Sequence, residues 1–253
     1  MPTPAEATHP HTFVLVHGSW HGAWCWRDVA TILENAGHRV FTPTLTGLGE
    51  RSHLMSATIN LDTHIADVVE VFRHERIENA VLCGHSYGGW VISGALEGIG
   101  SQVSVAVFLD AHVPKDGERP IDKSHYRADI ESALNSGLVS TDPPGAAWLR
   151  VKPERCDWVD ANLTPQPVGV SLQRIRLTGA RERVAKKAYI RATDFPSKTF
   201  DDYRDEAETN GWRIYDVRCG HDVMVDEPEQ LAEILIDVVA MRSATSSIRG
   251  CVG

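Results

Sequence analysis

The chain has 253 residues, with 25 Lys plus Arg against 34 Asp plus Glu, so its formal charge is −9 with neutral histidines. Charged residues at 23% and hydrophobic residues at 42% are ordinary for a globular protein and exclude a disordered or collagen-like chain. The acidic balance argues against nucleic acid or an anionic membrane surface as the main partner, and no apolar run is long enough for a membrane span.

Residues Met1 to Thr12 show no basic cluster followed by an apolar stretch, so no secretory signal is expected. Thr12 to His17 is a nearly continuous apolar run ending at Gly18, which predicts a buried strand. Arg27 to Ala36 predicts a helix closed by Gly37, and His38 to Phe41 a strand stopped by Pro43. A long loop follows over 43–60. Ile65, Val68, Val69 and Phe72 then share one face of a helix that has Asp62 near its start. Asn79 to Cys83 predicts a strand, Tyr87 to Leu96 a helix, and Val103 to Leu109 another apolar strand.

The rhythm breaks over 114–179, a stretch rich in proline that predicts an inserted cap of short helices and loops. It resumes with a strand at Lys187 to Ala192, a helix near Phe200 to Thr209, a strand at Arg213 to Val217 and a helix from Pro228 to about Met241. The small, polar end at 242–253 predicts a frayed tail. The fold class expected is α/β: a mostly parallel central sheet flanked by helices, with residues 1–113 and 180–253 as the core and 114–179 as the cap. Five scattered cysteines (25, 83, 156, 219 and 251) fit neither a disulfide framework nor metal spacing, and favour a reducing cytoplasm.

Gly84-His85-Ser86-Tyr87-Gly88 reads G-x-S-x-G after an apolar strand and before a helix, the context in which a serine is lifted onto a sharp turn as a nucleophile. A hydroxyl needs a base. His221 follows the Arg213 to Val217 strand, at the sheet edge where Ser86 also emerges. His9, His11, His38, His53, His64 and His74 are read as solvated, and His112 and His125 as beginning the cap, within reach of a substrate. The backbone N–H of Tyr87 and that of Ser19, after the first strand, are the expected oxyanion donors. His17 and His21 are four apart, but with no third ligand evident a packing role for His17 is favoured over a metal pair. Trp20, Trp90, Trp148 and Trp158 offer apolar surface, of which one or two are expected at a pocket.

Phe13-Val-Leu-Val-His-Gly-Ser-Trp-His-Gly-Ala-Trp-Cys-Trp26, the Gly84 to Gly89 elbow and Gly220-His-Asp-Val-Met224 resemble the α/β-hydrolase superfamily. Within it they resemble the branch of plant methylesterases, plant hydroxynitrile lyases and bacterial esterase relatives. The likeness extends through Phe41-Thr-Pro-Thr-Leu-Thr-Gly-Leu-Gly-Glu-Arg51 and Asp157-Trp-Val-Asp-Ala-Asn-Leu-Thr-Pro-Gln-Pro167. It implies a serine hydrolase acting on a small uncharged ester through an acyl-enzyme, with no metal or organic cofactor, and it leaves a homodimer open. Carbamate or amide hydrolysis would use the same machinery. Cyanohydrin cleavage is less favoured, because the lyases carry a threonine at the place of Gly18 and a lysine at the place of Asp222, where a carboxylate would repel cyanide. A non-catalytic ligand-binding member of the fold is the reading from a different class.

The acid has two candidates. In the plant relatives it follows the seventh strand, and that place falls here on Phe195, one residue beyond Asp194. Asp110 ends the apolar Val103 to Leu109 run, where a charge is costly unless paired. Asp110 is favoured and Asp194 is the runner-up. Trp20, His112 and Trp148 are the expected substrate contacts.

Overall fold

The computed structural model describes residues 10–240, so the tail expected at 242–253 lies outside them. Six strands form the central sheet: β1 (Thr12–Val16), β2 (Arg39–Phe41), β3 (Ala80–His85), β4 (Val103–Leu109), β7 (Lys186–Ala192) and β8 (Arg213–Val217). Their order is β2-β1-β3-β4-β7-β8, and every neighbouring pair is parallel. The central strands are apolar on both faces because helices cover both. All six residues of β3 are buried, as are six of the seven in β4.

The covering helices include α1 (Arg27–Asn35), α2 (Leu61–Glu75), α3 (Gly88–Ile99), α7 (Lys198–Thr209) and α8 (Pro228–Ala240). Asn60 caps α2: its side chain accepts from the Thr63 N–H, and the Thr63 hydroxyl lies 3.3 Å from the Asn60 N–H. Helix α3 runs to Ile99 rather than Leu96, because Leu96 and Ile99 remain in the core. A turn of 3-10 helix at Gly49–Leu54 interrupts the loop expected over 43–60. Among the described residues no helix is long and apolar enough to cross a membrane.

The stretch 114–179 leaves the sheet after β4 and returns before β7. Its two ends meet where the Gly117 N–H donates to the Ile175 carbonyl and the Ile175 N–H to the Glu118 carbonyl. It holds the helices α4 (Pro120–Lys123), α5 (Arg127–Asn135) and α6 (Pro153–Asn162). It also contains an antiparallel pair, β5 (Ser140–Thr141) and β6 (Gln166–Pro167), which the reading of helices and loops alone did not include. Strands of two residues are too short to show alternation.

Candidate active site

Ser86 sits between β3 and α3 with φ of 52°, a left-handed backbone that a serine adopts only when its surroundings hold it there. The Ser86 N–H donates to the Leu109 carbonyl, and the Ser86 carbonyl accepts from the Gly89 and His112 N–H groups. The glycines make the turn possible. A Cβ on Gly88 would stand 2.8 Å from the Val16 carbonyl oxygen, and one on Gly89 only 2.1 Å from that of His112. The half-buried Ser86 and the buried His221 line one pocket. Among the described residues no hydrogen bond joins the Ser86 hydroxyl to His221; in free enzymes such contacts are often loose.

The His221 Nδ1–H donates to Asp110 Oδ2 at 2.6 Å. Asp110 is fully buried at the end of β4, with φ of 41°. Its other oxygen, Oδ1, accepts from Arg191 Nη1 at 2.8 Å and from the Ala192 N–H at 3.2 Å. Arg191, itself buried, also bonds Asp201 at 2.8 Å and the Phe195 carbonyl at 2.7 Å. Burial works against the guanidinium, but Asp110 and then Asp201 outweigh it and raise its pKa. Asp194 lies elsewhere: its half-exposed carboxylate is 3.9 Å from Arg218. Sequence reasoning did not single out Arg191. A cation inside the strand Lys186–Ala192, beside a candidate acid, was the available signal.

On the other wall, the loop after β1 carries Ser19. Among the described residues neither the Ser19 nor the Tyr87 amide N–H has an acceptor, and both residues line the pocket. The His17 Nδ1–H donates to the Gly18 carbonyl at 2.8 Å, and its Nε2 accepts from the Leu45 N–H at 3.0 Å. Burial pushes His17 down to about 3, so the ring is neutral. Gly18 leaves no room for a side chain, since a Cβ would be 2.9 Å from both Ser86 Cβ and His85 Nδ1.

His64 was read as solvated and is fully buried. Its Nε2–H donates to the Thr46 carbonyl at 2.8 Å, and its Nδ1 accepts from the Tyr87 hydroxyl at 3.0 Å. Burial lowers it to about 4. It ties the residue after Ser86 to α2 and the 43–60 loop; its place on the apolar face of α2, one residue before Ile65, was the sequence signal. His38, also read as solvated, is buried and accepts from the His11 N–H at 3.2 Å.

His21 and Asp222 form a buried pair at 2.9 Å that the sequence did not reveal, because 201 positions separate them. Asp222 does not line the pocket. The expected repulsion of cyanide by Asp222 does not arise, because its carboxylate is turned to His21; at this place the chain departs from the resembled lyases by lacking their lysine.

Trp20, Trp90, Tyr126, Trp148, Phe195 and Phe200 give the pocket aromatic walls, and His112 and His125 add imidazoles. Burial lowers His112 to about 3, so that ring is neutral. Trp20, Trp90 and Trp148 make three tryptophans at the pocket where one or two are expected from the sequence; Trp158 does not line it and packs edge-on against Trp24, 5.1 Å between centroids. Small-sheet residues fasten Trp20, whose N–H donates to Gln166 Oε1 at 3.1 Å and whose indole N–H donates to the Thr141 carbonyl at 3.3 Å. Among the described residues no group of three or more His, Cys, Asp or Glu could hold a metal ion.

The family model described as the alpha/beta hydrolase family matches residues 13–234. A carbendazim hydrolyzing esterase from Nocardioides sp. (strain SG-4G) is 37% identical over 237 residues, 88% of this chain and 97% of the relative. Methylesterase 10 of Arabidopsis thaliana is 28% identical, covering 91% of this chain and 92% of its own. The fold is similar to that of an extracellular alpha/beta-hydrolase from a Paenibacillus species, with a TM-score of 0.79 at 23% identity, covering 90% of this chain and 99% of that one.

Proposed function

This chain belongs to the alpha/beta hydrolase family, and from that premise we propose that it is a serine esterase cleaving small uncharged carboxylic esters with Ser86, His221 and Asp110. The observation that carries the reading is the strained Ser86 elbow opening on the same pocket as a histidine whose far nitrogen rests on a buried, charge-paired aspartate.

His221 Nε2 takes the hydroxyl proton as Ser86 Oγ attacks the ester carbonyl. The carbonyl oxygen becomes an oxyanion and accepts from the Ser19 and Tyr87 amides, whose N–H groups are otherwise unengaged. The tetrahedral state collapses, the C–O bond breaks, and the alcohol leaves with the proton from His221. Water then gives a proton to His221 as it attacks the acyl carbonyl, the bond between the acyl carbon and Ser86 Oγ breaks, and His221 returns the proton to Oγ as the acid leaves. Asp110 holds the ring with Nδ1–H inward, so that Nε2 is free to act as base.

Aromatic walls and neutral imidazoles suit an uncharged substrate with an apolar body. The stretch 114–179 serves as a cap over this pocket, supplying Tyr126 and Trp148. Cys25, Cys83, Cys156 and Cys219 are free thiols, which fits a cytoplasmic enzyme.

The test is turnover of p-nitrophenyl acetate and a panel of methyl esters, aryl esters and a cyanohydrin by wild type and Ser86→Ala. Carbendazim belongs in the panel because the Nocardioides relative is named for hydrolysing it. A phosphonate adduct on Ser86 supports the reading; full activity in Ser86→Ala refutes it.

A further inference from the structure

His21 and Asp222 make a second buried histidine–carboxylate pair: His21 lines the pocket on the wall that carries Ser19, and Asp222 stands behind it. Both ring nitrogens of His21 face acceptors. Nδ1 lies 2.7 Å from the Ser19 carbonyl oxygen and Nε2 lies 2.9 Å from Asp222 Oδ2. A carbonyl has no proton to give. The Asp222 carboxyl, despite burial, is drawn down to about 2 by His21, so it too only accepts. Against a carboxylate, a neutral imidazole with its one N–H would leave one of these contacts as two lone pairs facing each other, whereas the imidazolium satisfies both. Burial opposes that charge, and Asp222 outweighs it.

The other groups around the pair allow the charge. Trp24 stacks on the His21 ring at 5.1 Å, and His85 stands edge-on at 6.0 Å. Burial and the neighbouring His221 keep His85 neutral, burial keeps His17 neutral, and burial with Asp222 nearby holds the Cys25 thiol protonated. Asp222 is thus the anion bonded to His21.

The Ser19–Trp20 peptide is gripped at both ends. Its carbonyl accepts from His21, and its N–H, that of Trp20, donates to Gln166 Oε1 at 3.1 Å. The next backbone angle needs such a grip, since Trp20 has φ of 63°. We propose that His21, kept as an imidazolium by Asp222, is a positioning residue for acyl transfer: its Nδ1–H fixes the Ser19 carbonyl and so aims the Ser19 amide at the developing oxyanion. A charged donor makes the stronger hydrogen bond, which is what a strained loop beside a reacting centre requires. The role rests on the esterase reading given above.

Two measurements test it. In wild type, nitrogen-15 NMR of the histidine rings at pH 7.5 should show His21 with both nitrogens protonated; a neutral ring overturns the proposal. His21→Phe keeps a ring to stack on Trp24 but strands a buried carboxylate, so it is compared with His21→Phe/Asp222→Leu, which removes that charge. Per folded protein, the double variant should lose at least about tenfold in kcat with KM changed less than about twofold, the pattern expected when a contact matters mainly in the transition state. A double variant that folds with full kcat overturns the proposal. The two readings fail differently: a wild type that cleaves no ester sinks the esterase assignment, whereas an active wild type with a neutral His21 sinks only this role.

Discussion

The phenyl ring of Phe195 stacks on the imidazole of His221, with centroids 4.5 Å apart and planes 26° apart. Phe200 lies nearly parallel to the same imidazole at 5.4 Å and only 6.3 Å from Phe195, so the two phenyl rings pack beside each other against His221 and its Nδ1 edge is left to Asp110. Phe195 occupies the place where the plant relatives' pattern would put the acid, and a phenyl ring cannot accept a proton or balance an imidazolium. The carboxylate bonded to His221 Nδ1 is that of Asp110, at the end of β4. Asp110→Asn is therefore expected to lower kcat by about 10⁴-fold, the scale seen when a triad histidine loses its orienting acid. Asp194→Asn, at a half-exposed site beside Arg218, should stay within about twofold of wild type. Steady-state kinetics on p-nitrophenyl acetate distinguish the two, and the opposite ranking would transfer the acid's role to Asp194.

Arg191 makes the buried Asp110 charge tolerable. Both side chains are almost wholly inaccessible, so neither has water as an alternative partner. Arg191→Met leaves Asp110 with the Ala192 N–H and His221, and also frees the Phe195 carbonyl. The expected loss is about 3–5 kcal/mol of stability in urea unfolding, the usual result of stranding one member of a buried pair. Adding Asp110→Asn to Arg191→Met should cost less than the sum of the single changes, because the stranded charge is then gone. Strict additivity would mean that the two groups do not stabilise each other.

What the sequence disclosed was whatever lies close along the chain. The Ser86 elbow is legible because strand, turn glycines and helix are contiguous, and the strands Val103–Leu109 and Arg213–Val217 read with their observed bounds. The order of the sheet and the supports of the site were not legible. Arg191 meets Asp110 across 81 positions, and His21 meets Asp222 across 201. A cation inside a buried strand marks Arg191 as needing a partner but does not say which, and nothing local marks His21 or Asp222. His64 differs: its spacing from Leu61, Val68 and Phe72 puts it on the apolar face of α2, but its partners, the Tyr87 hydroxyl and the Thr46 carbonyl, are remote from it along the chain.

Gly18 is required by contact rather than by backbone angle. A Cβ there would press on Ser86 Cβ and His85 Nδ1, both at 2.9 Å, so either the nucleophile or the loop carrying Ser19 must shift. Gly18→Ala should lower kcat by roughly 10- to 100-fold, short of the loss of a whole oxyanion donor, which is worth about 3 kcal/mol. Gly18→Thr, which imitates the resembled lyases at this one place, should lose esterase activity without gaining cyanohydrin cleavage, since no lysine stands at 222. Appearance of cyanide from a cyanohydrin in the threonine variant would show that this position alone separates the two reactions.

Histidine burial sets the pH range of the folded protein. His17, His64, His85 and His112 are all buried, with pKa lowered first by burial, to about 3, about 4, well below normal and about 3 respectively. In the unfolded chain each binds a proton near the ordinary value of 6.5, while the native state refuses it. Their stabilisation is thus present above about pH 6.5 and lost as pH falls below it, at up to about 1.4 kcal/mol per pH unit for each group. Asp222 adds to this only below the ordinary carboxylate value of 3.8, toward its native value of about 2. His21 has the opposite sign. Its pKa is raised, so its contribution is complete below the unfolded value and fades as pH rises through the native one. His38 and His125 are lowered as well, while Asp226, raised to about 6 chiefly by burial, offsets one of these six histidines as pH falls; with His21 alone among the described histidines raised, the melting temperature should fall more steeply from pH 6.5 to 5 than from pH 7 to 8.5. His64→Gln, which cannot take up a proton, should make the acid limb shallower by about one histidine's share even if it lowers the plateau. An acid limb unchanged in that variant would mean that His64 is already protonated in the native protein, and with it that the Tyr87 hydroxyl is held by something other than a neutral ring.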